Sequence, residues 1–445
     1  MPNCFDWPMH SGSIIYLKMK KREILGFFLV YFLFLSPALT AAETLTLEKA
    51  IGEARSKSLV LKQSGEMVRA AEAGSAEQRT YLLPSFSFSG AYTYQKGQVF
   101  GSPIPSDDPE TDDSNLTLSV TQPIFTGGRL LSQYQAARLA VEFARAYYDI
   151  VDLDLILNVN NAYFNVLRLE KAINVSRELV ENRQRHSSEV EKRVKAGVLP
   201  RVEQLKAEVE LAHSEDGLIS TENELKAARS SLNRLLERPL DTETILLDVV
   251  PESRLKDENL DRYYVEAQKN RPELRAAEIR VGQTEKGREI VKSGYFPQVY
   301  LQLAHQEFQD DAFDSDWSRN DRVMLTVSYD IWNWGRIKNR VRNSESYLNQ
   351  ARLGLSDLKR VINLEVKNAY LAVRSARARI ETAQKAVSQA EEVLRMQSIR
   401  FKEGMATSTE VLDADFALAR ARTDHYNASY DYLSAEAVLK RATGL

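Results

Sequence analysis

The feature that most constrains this chain is a run of apolar residues at alternating steps of three and four between Leu355 and Ala442. Val366, Ala369, Val373, Ala376, Ile380, Ala383, Val387, Ala390 and Leu394 make one arm; after Gly404 the spacing resumes with Val411, Ala414, Leu418, Ala421, His425, Ala428, Tyr432 and Ala435. Neither arm contains proline or glycine, so nothing local interrupts a helix. Sustained 3-4 spacing with alternating small residues predicts two closely packed, coiled-coil-like helices joined at Gly404. The first arm, of about fifty residues, is a rod of roughly 75 Å. The pattern also occurs twice. Subtracting 207 from each landmark gives Val159, Ala162, Val166, Leu169, Ile173, Ser176 and Val180; Asn161-Ala162-Tyr163 matches Asn368-Ala369-Tyr370, and Gly128-Arg129 matches Gly335-Arg336. Gly197 likewise matches Gly404. One offset holding over such a distance indicates an internal duplication of a whole structural unit, residues 43–258 and 259–445.

The duplicated part follows a leader. Lys18, Lys20, Lys21 and Arg22 form a basic segment, Ile24 to Leu35 an apolar one, and Thr40-Ala41-Ala42 a small-residue cleavage site, so residues 1–42 read as leader and secretory signal peptide. The only cysteine, Cys4, precedes the apolar segment; the mature chain therefore has no disulfide, no thiol nucleophile and no N-terminal cysteine for a lipid. Cleavage removes four basic and two acidic residues and takes the net charge from −3 to −5. A mildly acidic chain without a basic block gives no support for nucleic-acid binding.

Between leader and rods the period changes from helix to strand. Leu45 to Tyr81 is helical in pattern, stopping at Pro84. Phe86, Phe88, Gly90, Tyr92 and Tyr94 then alternate with Ser85, Ser87, Ser89, Ala91 and Thr93, which marks a strand with one apolar and one polar face. A loop with Asp107, Asp108, Glu110, Asp112 and Asp113 leads to a second strand, Leu116, Leu118 and Val120 alternating with Thr117, Ser119 and Thr121. This is a β-hairpin at 84–125. The second unit repeats the plan: a helix from Asn259 to Tyr295 bent near Pro272, and a β-hairpin at 297–331. That hairpin carries Val299, Leu301 and Leu303 on one strand, an acidic loop from Asp310 to Asp316, and Val323, Leu325, Val327, Tyr329 and Ile331 on the other. Arg238 to Asp261, with Pro239 and Pro251 around the run Ile245 to Val250, reads as a connector. Strands of about ten residues suit a tilted membrane span. A soluble sandwich is the alternative, but the polar faces carry Ser, Thr and Ala rather than charge, and Tyr92, Tyr94, Tyr329, Trp332 and Trp334 gather at strand ends. Four strands cannot close a barrel and an open edge cannot sit in lipid, so a membrane reading requires protomers to pool strands.

The chain resembles outer-membrane efflux proteins of the TolC family. The resemblance lies in the opening Leu45-Thr46-Leu47-Glu48-Lys49-Ala50-Ile51, in Asn270-Arg271-Pro272-Glu273-Leu274, in the turn Trp334-Gly335-Arg336 and in the pattern from Gly404 to Ala414. It implies a mainly α protein with a transmembrane β part. Three copies would form a homotrimer with a 12-stranded β-barrel, continued by a periplasmic α-helical barrel that the connector and C-terminal end encircle as a belt. It also implies a passive exit duct in the outer membrane lipid, docked to a periplasmic adaptor and an inner-membrane pump, in efflux or type I secretion. A periplasmic coiled-coil scaffold or adaptor that never spans a membrane is the other reading.

No phosphate loop, paired-histidine metal motif or nucleophile elbow occurs, and His186, His213, His305 and His425 are scattered; no catalytic residue, metal site or cofactor is expected. The resemblance instead assigns adaptor docking to the tips Gly197, Val198, Leu199, Pro200 and Gly404, Met405, Ala406, Thr407. By position alone these glycines do no more than reverse the backbone. Glu410 and Asp413 lie one helical turn apart, which by itself describes a solvated face. The resemblance makes them acids of a pore constriction, rings of three in a trimer that attract cations. A family gate bond is kept on one side only: Glu203 matches its acid, whereas Phe401 and Ala406 stand where a tyrosine and an arginine would be. The closed tip is then expected to rest on apolar packing and on contacts through Arg400 or Lys402.

Overall fold

A computed structural model describes residues 44–96, 110–249, 259–310 and 314–445. The leader, Asp107 and Asp108 of the first acidic loop, and Val250 and Pro251 of the connector lie outside the described residues. Leu45–Leu445 form one unit. Its helices are α1 (Leu47–Lys57), α2 (Leu59–Thr80), α3 (Arg129–Lys195), α4 (Arg201–Leu235), α5 (Leu260–Asn270), α6 (Pro272–Lys292), α7 (Arg336–Lys402) and α8 (Ser408–Thr443). The strands are β1 (Ser85–Lys96), β2 (Glu110–Phe125), β3 (Gln298–Asp310) and β4 (Asp314–Ser328).

The long helices exceed the sequence-based reading. α3 and α7 each have 67 residues, so each is about 100 Å long. Both begin directly after a left-handed glycine, Gly128 or Gly335, well before the regular seam sets in. Of the seam residues, Val366, Ala369, Val373, Ala376 and Val387 on α7 and Val411, Ala414, Leu418, Ala428, Tyr432 and Ala435 on α8 are buried. α3 packs along α4, α7 along α8, and α3 meets α8, so the two helical hairpins share one interface. The helix read from Leu45 to Tyr81 is broken in two. Ser58 leaves the helical conformation, its hydroxyl accepting from the Leu61 amide, and thereby caps α2. The break in the second unit falls at Arg271, with Pro272 opening α6, where its missing N–H costs nothing.

The main core lies where the short helices and the connector wrap the rods. Leu45 forms a parallel bridge with Leu246, and the Tyr163 hydroxyl lies 2.8 Å from the Leu45 carbonyl and 2.7 Å from that of Leu247. Burial pushes the Tyr163 phenol up to about 12. Tyr430 bonds Asp248, Arg238 pairs with Glu53, and Arg441 joins Asp154 and Glu273. These contacts tie the connector and the C-terminal helix to the shafts.

The four strands form one antiparallel sheet in the order β1-β2-β3-β4. They are longer than ten residues, and Asp112, Asp113 and Asp316 belong to strands rather than to loops, because the ladder continues past the apolar rungs. One face carries Phe86, Phe88, Leu116, Leu118, Val120, Val299, Leu301, Leu303, Val323, Leu325 and Val327. Phe86 and Val323 are 75% and 74% exposed, so nothing among the described residues covers this face. The opposite face is polar: Ser87 and Ser119 hydroxyls meet at 2.8 Å, and Gln306 donates to Asn115.

The apolar rungs are staggered. On β1 and β2 they run from Phe86/Val120 to Gly90/Leu116; on β3 and β4 from Val299/Val327 to Leu303/Val323, and Phe86-Val120-Leu303-Val323 is apolar across all four strands. The displacement is about 13 Å over roughly 10–15 Å of sheet width, so a level apolar band requires strands tilted by some 45°.

Candidate hairpin tips and pore acids

Each long hairpin reverses at a glycine in the left-handed region, Gly197 at φ +75° and Gly404 at φ +77°. No atom lies within 4 Å of where a Cβ would be at either, so conformation and not crowding selects glycine. Val198 and Met405 are exposed at the apices; Leu199 and Ala406 turn inward and pack on a cluster of Val190, Ala207, Phe401 and Val411. The two turns are thus fastened to each other through apolar packing. Pro200 precedes α4, and Thr407 caps α8.

At this end polar contacts cross between the hairpins from Arg193, His186 and Asn182 of α3. The Arg193 guanidinium donates to the Phe401 carbonyl at 2.9 Å, reaches the Lys402 carbonyl at 3.5 Å, and stacks on the Phe401 ring, 4.6 Å from its centroid. Arg193 therefore neutralises the carbonyl end of α7 while its Nε pairs with Glu189. His186 Nε2 and the Ser408 hydroxyl are 2.7 Å apart, and burial holds this imidazole below its ordinary pKa. Asn182 donates to Asp415 at 2.8 Å; burial, the largest influence, pushes the Asp415 carboxyl up. Arg183, almost wholly buried, bonds the Glu210 backbone and carboxylate.

The expected contacts through Arg400 or Lys402 are not the ones present. Arg400 serves its own hairpin, bonding Gln397 and the Met405 carbonyl, and Lys402 contributes only its backbone oxygen. Arg193 is nearer because it sits on the last turn of α3, facing the end of α7. Glu203 likewise bonds within α4, its Oε1 2.9 Å from Lys206. Glu410 is exposed, but its carboxylate folds back to accept the Thr407 amide at 2.6 Å and hydroxyl at 3.0 Å, completing a capping box. The Thr407 backbone bond, then its hydroxyl, holds the Glu410 carboxyl below the usual range. Asp413 lines a groove of about 840 Å³ with Val202, Leu205, Val209, Leu412 and Phe416.

Sequence reading missed Arg193, Arg183 and Asp415. Asp415 was detectable, since it follows Val411 by four and precedes Leu418 by three, an acid inside an apolar stripe. Among the described residues no group of His, Cys, Asp and Glu is placed to hold a metal ion, and no helix is long and apolar enough to cross a membrane.

A family model described as "Outer membrane efflux protein" matches residues 50–237 and 263–445. The chain is 23% identical to outer membrane protein TolC of Escherichia coli (strain K12) over 387 residues, covering 83% of this chain and 76% of that protein. It is 24% identical to cobalt-zinc-cadmium resistance protein CzcC of Cupriavidus metallidurans, covering 91% of each. The Campylobacter jejuni CmeC outer membrane channel superposes with a TM-score of 0.80 at 16% identity, over 89% of this chain and 85% of that one.

Proposed function

Because the chain belongs to the outer membrane efflux protein family and lies in the outer membrane with its helices extending into the periplasm, we propose that three copies form one passive exit duct. The observation that carries this is the sheet. Its outer strands β1 and β4 each leave an edge unpaired, one face is apolar and uncovered, and the other is polar. Lipid tolerates the apolar face but not the open edges. Pairing β4 of one copy with β1 of the next removes every edge, and three four-stranded sheets make twelve strands around a polar lumen. The stagger of the apolar rungs supports closure, since barrel strands tilt by about 35–45°. A scaffold that stayed in water would leave the apolar face with nothing to bury it.

Below the sheet, α3, α4, α7 and α8 of three copies would continue the wall as a helical barrel, with the two duplicated units 43–258 and 259–445 alternating around it. The tips at 197–200 and 404–407 are the surface for a periplasmic adaptor, which couples the duct to an inner-membrane pump; Val198 and Met405 are the apolar side chains they present. Glu410 and Asp413 supply the acids of the constriction, and Arg193 with the Phe401 cluster holds the tips together. Native mass spectrometry of the detergent-purified chain tests the assembly. A trimer is expected, and a monomer that stays soluble without detergent would overturn it.

A further inference from the structure

Where β4 gives way to α7 the chain exposes its largest apolar side chains. Ile331, Trp332 and Trp334 are 85%, 74% and 87% exposed, and Tyr329 joins them. Trp334 holds φ +53°, a left-handed conformation uncommon for a bulky residue, and its ring meets Trp332 edge-on at 5.6 Å. A pair of indoles is thus kept in the open directly below the apolar sheet face. Aromatic side chains gather at the level of the lipid headgroups, with a ring among the chains and an N–H in the wet layer.

Immediately beyond them the charge is all of one sign. Arg336 bonds Asp330 at 2.7 Å, but Lys338, Arg340 and Arg342 are exposed and have no ion-pair partner among the described residues; the next acid along α7 is Glu345. Farther down the same helix Arg360, Arg379 and Arg395 each have a carboxylate within reach. The facing end of α6 adds Lys292, also without a partner among the described residues, and Arg288, whose nearest acid is Glu285 at 3.7 Å. Arg288 and Arg340 line one groove of about 610 Å³ between α6 and α7, with Asn343 and Tyr347. Between Asp330 and Glu345 the sequence has no acid to offset these cations.

We propose that this junction binds anionic phospholipids of the periplasm-facing leaflet. The indoles lie at the acyl–headgroup boundary. Lys338, Arg340 and Arg342, with Lys292 and Arg288, take the lipid phosphates, and arginine offers them a two-pronged donor. The occupant is a phospholipid and not a protein because the cations begin within ten residues of the last strand of the apolar sheet, with the exposed indoles between them. The proposal rests on the outer-membrane location.

The test uses the full-length protein in nanodiscs made of one part phosphatidylglycerol to three parts phosphatidylethanolamine. Lipid retained after detergent extraction is counted by mass spectrometry. The parent is expected to retain phosphatidylglycerol at about twice its input share. Lys338→Gln with Arg340→Gln and Arg342→Gln should return that share to the input value, while the charge-matched Arg360→Gln with Lys367→Gln and Lys385→Gln should keep the enrichment. Insertion without enrichment in the parent, or equal loss in both triple variants, would overturn the proposal alone; failure of the parent to enter the bilayer would overturn the membrane reading with it. A readout free of variants is tryptophan quenching, expected to be stronger with brominated phosphatidylglycerol than with brominated phosphatidylethanolamine. Equal quenching counts against the assignment.

Discussion

Arg193 makes the most contacts between the two tips of any side chain there, because one guanidinium serves two carbonyls and an aromatic face at the end of α7. A charge-assisted hydrogen bond is typically worth about 1.5–3 kcal/mol. Arg193→Ala is therefore expected to raise single-channel conductance in planar bilayers, whereas Glu203→Ala, which breaks only a bond to Lys206 on its own helix, should leave it near the parent value. If Glu203→Ala alone opened the duct, Arg193 would not be the principal clamp. The acids proposed for the constriction need a different substitution from alanine, since Glu410 also caps α8. Glu410→Gln preserves the capping box, so Glu410→Gln with Asp413→Asn removes charge without unravelling the helix end. This pair is expected to weaken cation selectivity, measured as a shift in reversal potential. Full selectivity in the double variant would place the constriction elsewhere.

At the level of elements, two glycines in left-handed backbone should respond differently to alanine. Gly127, between β2 and α3, would bring a Cβ to 2.7 Å from the Ser293 carbonyl and 2.9 Å from Phe296, whereas Gly404 has open space around it. Gly404→Ala should cost about 1 kcal/mol from conformation alone, and Gly127→Ala distinctly more. Thermal unfolding compares them, and equal losses would mean that the strand-to-helix corner yields. The α3–α8 interface should also respond to pH. Burial raises the Asp415 carboxyl, so the folded chain holds that proton more tightly than the unfolded one. Stability is then lost as pH climbs from the ordinary aspartate value through the raised one, and the penalty is complete above it. Asp415→Asn keeps an acceptor for Asn182 and should raise Tm more at pH 8 than at pH 4. A gain that did not depend on pH would show that Asp415 is not the titrating group.

Over the whole molecule, the sheet and the rods set a direction. The helices extend into the periplasm, so the far ends of the strands and the joining segments 97–109 and 311–313 should face outside. Asp112 lies within β2, which makes it a poor place for an insertion; an epitope tag is better put at Asp107, ahead of the first residue of β2, Glu110. Intact cells are expected to bind an antibody to that tag. Binding only after the outer membrane is ruptured would reverse the orientation.

Much of this architecture is written in local pattern. The 3-4 spacing of Val366 to Leu394 fixes a helix and its buried stripe, and the alternation from Ser85 to Tyr94 fixes a strand with two unlike faces, because both follow from the period of the backbone. Helix length was underestimated because Arg336 to Gly354 is helical without a regular seam, and strand length because polar residues such as Asp112 and Asp321 extend a ladder that only backbone pairing reveals. The tip glycines were visible in sequence, since a left-handed turn between two long helices admits few other residues. Which side chains clamp the tips was not. Arg193 and Phe401 are 208 positions apart, and no pattern within either helix says that the end of one shaft will face the carbonyls of the other. Packing of α3 against α8 decides that, and with it which charges along the interface are buried and which are bonded.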